Sequence, residues 1–163
     1  PPETVNALIC TLAHASGTAG MAGGQAIDLA AVGKQLDAAQ LEQMHIMKTG
    51  ALIRASIFMG ALAGESLTDE QRESLDRFGK ILGLLFQVVD DILDCTVTTD
   101  VLGKTAGKDA ATDKPTYVSL MGLAEARVFA NDLLNQALPL IAPIGPRGAR
   151  LQDIALEIVQ RTH

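Results

Sequence analysis

The sequence predicts an all-α protein, on three observations. Aromatic residues make up 3% of the 163 residues, with no Trp and one Tyr, so a core must come from Ala, Leu, Ile, Val and Met. Such residues pack helices more readily than they fill a sandwich or barrel. Apolar residues recur at helical spacing along most of the chain, and no run of β-branched residues alternates as a strand would. The length suits one domain with a real core and is short for two, so a single domain over 1–163 is expected.

The elements follow in order. Residues 3–15 read as a short helix that stops near Gly17. Residues 18–31 read as a second, interrupted by Gly23 and Gly24, since each glycine costs about 1 kcal/mol against alanine. Residues 37–63 carry a long helical pattern ended by Gly64. Thr68 with Gln71 forms a capping box that opens the run 69–95. Residues 96–114 have no hydrophobic period and hold Gly103, Gly107 and alternating Asp and Lys, so they read as a loop. Pro115 suits the first turn of a short helix over 115–121. Helices over 123–138 and 147–161 follow, joined through Pro139, Pro143 and Pro146.

Composition narrows the function classes. The balance of 13 basic against 19 acidic residues gives a net charge of −6. A nucleic-acid binder needs a basic face to neutralise phosphates, so that class is disfavoured. Cys10 and Cys95 are too far apart in sequence for a CxxC metal site and too few for a disulfide framework, which suits a reduced, intracellular protein. The opening Pro-Pro-Glu-Thr has no basic or apolar signal region, and its lack of Met suggests sequence lost upstream. No stretch reaches the roughly 18 apolar residues of a membrane span, so none is expected.

The chemistry concentrates between Phe78 and Asp94. Phe78, Ile81, Leu82, Leu85, Val88, Val89 and Ile92 make a helix that is apolar nearly all round, the pattern of a buried one. Gln87, Asp90, Asp91 and Asp94 fall at i, i+3, i+4 and i+7, on one face. Carboxylates on a buried helix are costly unless paired or bound to a metal. No Lys or Arg lies four residues either side of Asp90 or Asp94, and crowded acids raise each other's cost of ionising. A hard divalent cation resolves this, and an all-oxygen set suits Mg²⁺, which binds one or two carboxylates plus substrate phosphates. The bland alternative is that these aspartates end a helix in solvent.

Cations flank this face. Lys104, Lys108 and Lys114 lie among glycines and aspartates after the helix, as a phosphate-holding segment or as a merely solvated loop. In the 37–63 helix, His45, Lys48 and Thr49 share a face before the apolar stretch Ala51 to Ala63. Lys48 can snorkel innocently there or aim at a phosphate on the rim of an apolar cavity. In the second helix, the paired glycines suggest a kink or a close approach, and Gln25 and Asp28 then project together; a structural bend is the alternative.

Four segments occur in register: Gly23 to Asp28, Lys48 to Ile53, Phe86 to Asp94, and Leu102-Gly103-Lys104 to Asp113-Lys114-Pro115-Thr116-Tyr117. Together they resemble the trans-isoprenyl diphosphate synthases, in the bacterial short-chain farnesyl or geranylgeranyl style. The likeness runs from about Ser16 to the end, with 86–117 its most specific block. The resemblance implies a helical bundle around a deep central cavity. It implies a transferase that joins an allylic diphosphate (dimethylallyl or geranyl) to isopentenyl diphosphate with Mg²⁺, in a cytoplasmic homodimer. On that basis Asp90, Asp91 and Asp94 would be a metal-binding motif, with Asp90 the direct ligand. Lys48 and Lys104 would hold the allylic diphosphate, assisted by Lys114. Thr49 and Gln87 would face the reacting carbon, Gln25 and Asp28 would line the cavity, and Phe86 would bound the homoallylic site.

One departure matters. The family carries two aspartate-rich motifs on facing helices, and Asp90-Asp91-Ile92-Leu93-Asp94 is the only such pattern in this sequence. The resemblance therefore implies the C-terminal half of a synthase, inactive alone, with an exposed cavity wall that favours association. Two other readings compete: a non-catalytic helical partner subunit, and a class I terpene cyclase. The second metal motif of such a cyclase does not fit Asp90 to Asp94, and the Lys-Thr-Gly and Gly-Lys segments favour prenyl transfer.

Overall fold

The computed structural model describes residues 1–34, 36–64, 67–102 and 116–161, except the side chains of 97–102. Among the described residues there is no strand, and the architecture is all-α as expected. The helices are α1 (Pro2–Ser16), α2 (Met21–Ala30), α3 (Ala38–His45), α4 (Ala51–Ala63), α5 (Asp69–Leu102), α6 (Tyr117–Met121), α7 (Leu123–Ala137) and α8 (Ala149–Gln160). A π-helical turn, Ile46–Gly50, joins α3 to α4, and a 3₁₀ stretch, Leu138–Gly148, joins α7 to α8.

Helix α5 is the axis of the bundle, packed chiefly against α7 and α4. Its buried residues Phe78, Leu82, Leu85 and Val89 recur every three or four positions, so one stripe faces inward from Phe78 to Val89. They join Leu41 and Met44 of α3, Ala130 and Leu133 of α7, and Ala155 and Ile158 of α8 in one core. Gly83 brings α5 against the π turn: a Cβ there would lie 2.7 Å from Gly50 Cα. That approach sets the carboxylate stripe of α5 beside the turn that carries Lys48.

Local chemistry starts the helices. Asp37 and Gln40 form a reciprocal capping box on α3, and Thr68 with Gln71 does the same for α5, as the sequence indicated. Thr116 and Ser119 cap α6. The prolines after α7 bend the chain in a 3₁₀ stretch with a break at Gly145, whose φ of 65° a side chain would resist.

Several expectations need correction. Gly23 and Gly24 do not interrupt α2; they serve close contact instead. The 37–63 pattern is two helices around a π turn. Helix α5 continues past residue 95 to Leu102, so 96–102 is not loop. Helix α6 begins at Tyr117, with its cap on Thr116, because the capping box outweighs the proline signal; Pro115 itself lies outside the described residues. The run Ala38–Ala63 is 26 residues long and apolar enough to cross a membrane by length and composition, where none was expected. In this structure it packs against α1, α2 and α5 with 11% of its most apolar window buried, and it carries His45, Lys48 and Arg54.

Candidate functional site

The site is built where α2, the π turn and α5 meet. A π turn adds one residue to the helical repeat, so it re-aims side chains that an unbroken helix would place elsewhere. Here it presents Lys48 and Thr49, both half-buried, after the buried His45. Gly24 of α2 lies against this turn: a Cβ on it would come within 2.2 Å of Lys48 N. This is the close approach that the paired glycines signalled.

The Lys48 ammonium donates to Asp28 Oδ2 at 3.0 Å. The Asp28 side chain is 8% exposed and that of Lys48 32%. The carboxylate is therefore sunk in the structure and the ammonium lies at the boundary with solvent. Gln25, three residues before Asp28, is exposed, so the two do not share an environment. His45 is neutral near pH 7: burial, then the charge on Lys48, pull it down to about 4 against the smaller upward pull of Asp28. Its ring is 5.6 Å from that of Tyr117.

The acidic stripe of α5 divides by environment. Gln87 is buried. Asp90 is half-exposed and lies above the usual carboxylate range, first through burial and then through Asp94, with Arg161 and Lys48 pulling it back. Asp91 is turned towards α6, where its Oδ2 accepts the Tyr117 backbone N–H at 2.8 Å. Burial raises it to about 6; the Tyr117 bond opposes this, Asp90 and Asp94 add to it, and Lys48 opposes it. Asp94 is exposed. Lys48 is the smallest of the influences on both Asp90 and Asp91, and lowers each.

Sequence reading missed Arg161. It follows α8 and places its guanidinium 4.4 Å above the centre of the half-buried Phe86 ring and 3.9 Å from Asp90 Oδ1. Nothing local in sequence could flag it, because only the fold brings the end of α8 to α5. Lys104, Lys108 and Lys114 lie outside the described residues.

Among the described residues, no three His, Cys, Asp or Glu side chains converge as a metal site. The donor chemistry still fits a hard cation. Asp90 and Asp94 are oxygen donors one helical turn apart, and the two-carboxylate share of an Mg²⁺ shell leaves its remaining positions for phosphate and water. Asp91 shares this stripe, and one of its oxygens, Oδ2, accepts the Tyr117 N–H. A cavity of about 840 Å³ opens between α1, α3, α4 and α5, bounded by Met47 and Gly50 of the turn and by Ile81 and Leu84 of α5. Its α5 lining is Asp76, Lys80, Ile81 and Leu84, and it does not include Lys48, Asp90, Asp91 or Asp94.

The chain matches the polyprenyl synthetase family over residues 5–139. It is 50% identical, over 94% of its length, to a Bradyrhizobium diazoefficiens protein named probable farnesyl diphosphate synthase, covering 47% of that protein. It is 44% identical to Escherichia coli farnesyl diphosphate synthase over 94% of this chain and 52% of that one. Among solved structures, Helicobacter pylori geranyltransferase complexed with magnesium and isoprenyl diphosphate superposes with a TM-score of 0.77 at 33% identity, over 98% of this chain and 52% of that one. The chain thus spans about half the length of the curated relatives it matches. The family match over most of its residues and the shared bundle agree: this chain belongs to the polyprenyl synthetase family.

Proposed function

We propose that this chain forms one wall of the active site of a short-chain isoprenyl diphosphate synthase. The reaction is the condensation of an allylic diphosphate, dimethylallyl or geranyl, with isopentenyl diphosphate, giving farnesyl diphosphate or a similar product. The supporting observation is the Lys48 ammonium, 3.0 Å from Asp28 on a π turn whose Gly50 packs against Gly83 of α5, the helix that carries Asp90 and Asp91. One cation and a pair of carboxylates suit a metal-bridged diphosphate better than any neutral ligand.

In this reading Lys48 donates to the oxygens of the allylic diphosphate, with Lys104 and Lys114 as further cations. Asp90, Asp91 and Asp94 would hold Mg²⁺, with Asp90 the direct ligand, and Asp91 also fixes α6 through the Tyr117 N–H. Magnesium, when bound, offsets the charge that develops on the leaving diphosphate. The C–O bond electrons pass to that diphosphate, the isopentenyl double bond attacks the allylic carbon, and the diphosphate takes the proton then lost. Thr49 and Gln87 turn their dipoles to the allylic carbon, Gln25 and Asp28 line the approach, and Phe86 bounds the homoallylic side. Asp28 does so through Lys48. The parent enzyme is a cytoplasmic homodimer, and this chain alone is inactive because it supplies one aspartate-rich motif.

Calorimetric titration of geranyl diphosphate into the chain, with Mg²⁺ and then with EDTA, tests the reading. Binding is expected only with Mg²⁺ and is expected to vanish in Asp90→Ala while helicity is retained. Lys48→Ala is expected to weaken it by about 1.5–3 kcal/mol, the size of a charged hydrogen bond. Equal binding in both buffers, or unchanged binding in Asp90→Ala, would sink the metal assignment.

A further inference from the structure

We propose that Asp28 is the positioning residue of Lys48: it holds the ammonium in place so that a diphosphate meets a cation already set. This deepens the reading of Lys48 as a diphosphate ligand and rests on it. Helix α2 grips Lys48 at two points one turn apart. Gly24 lies against its main chain, where a Cβ would come within 2.2 Å of Lys48 N and 2.5 Å of Lys48 Cα. Four residues on, Asp28 accepts from Lys48 Nζ at 3.0 Å. Positions i and i+4 share a face, so one stripe of α2 fixes both the root and the tip of the side chain.

The burial difference sets the direction of control. Asp28 is 8% exposed and Lys48 32%, so the carboxylate cannot follow the ammonium into solvent. Pulling Lys48 away would cost a buried carboxylate this ion pair, which is unfavourable. The pair therefore persists when an anion arrives. An ammonium has three N–H donors, so one can stay on Asp28 while two remain for phosphate oxygens. A lysine stem is otherwise flexible, and the tether removes freedom that diphosphate binding would have to remove. His45, one turn earlier, is neutral near pH 7 and adds no competing charge. The opposite arrangement is a competitor: a carboxylate that occupies Lys48 and must be displaced. Tether and competitor predict opposite effects of neutralising Asp28.

The test uses the 163-residue chain and Asp28→Asn, which keeps the size of the side chain and removes its charge. The first readout needs no ligand: the acetylation rate of Lys48 by peptide mass spectrometry, with Lys34 and Lys80 as internal references. The Lys48 rate is expected to rise about threefold or more, the scale of losing a partly exposed ion pair, while the references stay constant. Asp28→Glu, which keeps the charge, is expected to recover most of the protection and serves where Asp28→Asn does not fold. An unchanged Lys48 rate in the folded variant would overturn the tether. The second readout is affinity for inorganic pyrophosphate with Mg²⁺. Asp28→Asn is expected to weaken it about threefold or more; tighter binding would overturn the proposal and make Asp28 a competitor. If the unaltered chain binds no pyrophosphate, the reading of Lys48 as a ligand fails, and the acetylation ratio alone decides the tether.

Discussion

His45 and Asp91 both meet Tyr117, one through its ring and the other through its backbone N–H, and acid acts on them in opposite senses. His45 is held at about 4 against an ordinary 6.5, so the unfolded chain binds the proton more tightly. Its contribution to stability is intact above pH 6.5 and is lost as the pH falls towards 4. Asp91 is held at about 6 against 3.8, so the folded chain binds the proton more tightly and acid stabilises it across that window. The wild-type pH profile is a difference of the two, and a single-residue comparison separates them. His45→Asn is expected to be less stable than wild type at pH 7.5, and the gap is expected to narrow by about 2.5 kcal/mol at pH 4.5. Urea unfolding at both pH values measures this, and a constant gap would show that His45 is not a buried neutral base. The sequence placed His45, Lys48 and Thr49 on one face of an unbroken helix, and Lys48 and Thr49 instead sit in a π turn after His45. It gave no sign that Lys48 meets Asp28, that Asp91 turns to Tyr117 or that Arg161 reaches Asp90. Those partners come from distant segments, and helical spacing reports only neighbours on the same helix.

At the scale of elements, the π turn and its contact with α2 decide where Lys48 points. Helices with clear periods and caps were legible to within a few residues at most ends, because Thr68, Gln71 and the closing glycines act locally. The π turn was not legible, since one extra residue per turn leaves no mark in composition. Its stabilising contact was half legible: two adjacent glycines in a helix signal either a bend or a close approach, and only the packed partner decides. Two alanine substitutions test that partner with opposite signs. A Cβ on Gly24 would press on Lys48 backbone, which cannot rotate away, so Gly24→Ala is expected to cost about 2 kcal/mol or more. A Cβ on Gly60, in the interior of α4, meets nothing within 4 Å. Gly60→Ala is expected to stabilise by about 0.5–1 kcal/mol through helix propensity alone. Thermal melts of the two variants check both. A Gly24→Ala protein as stable as wild type would mean that α2 and the turn are not held together as described.

At the scale of the molecule, what was legible was the fold class, the order of helices and the family; what was not was how the surfaces are covered. Apolar periodicity shows which face a helix must bury but not against what. Helix α1 makes the point. Val5, Ile9 and Leu12 recur at i, i+4 and i+7, and are 55%, 62% and 47% exposed. Such a stripe on an amphipathic helix ordinarily faces a core. The hollow bounded by α1, α3, α4 and α5 adds further open apolar wall. Water pays no attention to whether a face was meant for the same chain or another; an apolar stripe of this kind lowers its free energy by meeting a second one. A net charge of −6 over the chain opposes close association only weakly at physiological salt, where exposed charges are screened within about 8 Å. The chain is therefore expected to self-associate at micromolar concentration. Ile9→Glu with Leu12→Glu is expected to shift it towards monomer without loss of helicity, since both side chains point to solvent in the single chain. Sedimentation equilibrium reads the outcome directly. A wild-type chain that stays monomeric at about 100 μM, so that any dimer has a Kd of roughly millimolar order or weaker, would show that the α1 stripe is tolerated in water. An associated state that the double variant leaves intact would move the contact from α1 to another face.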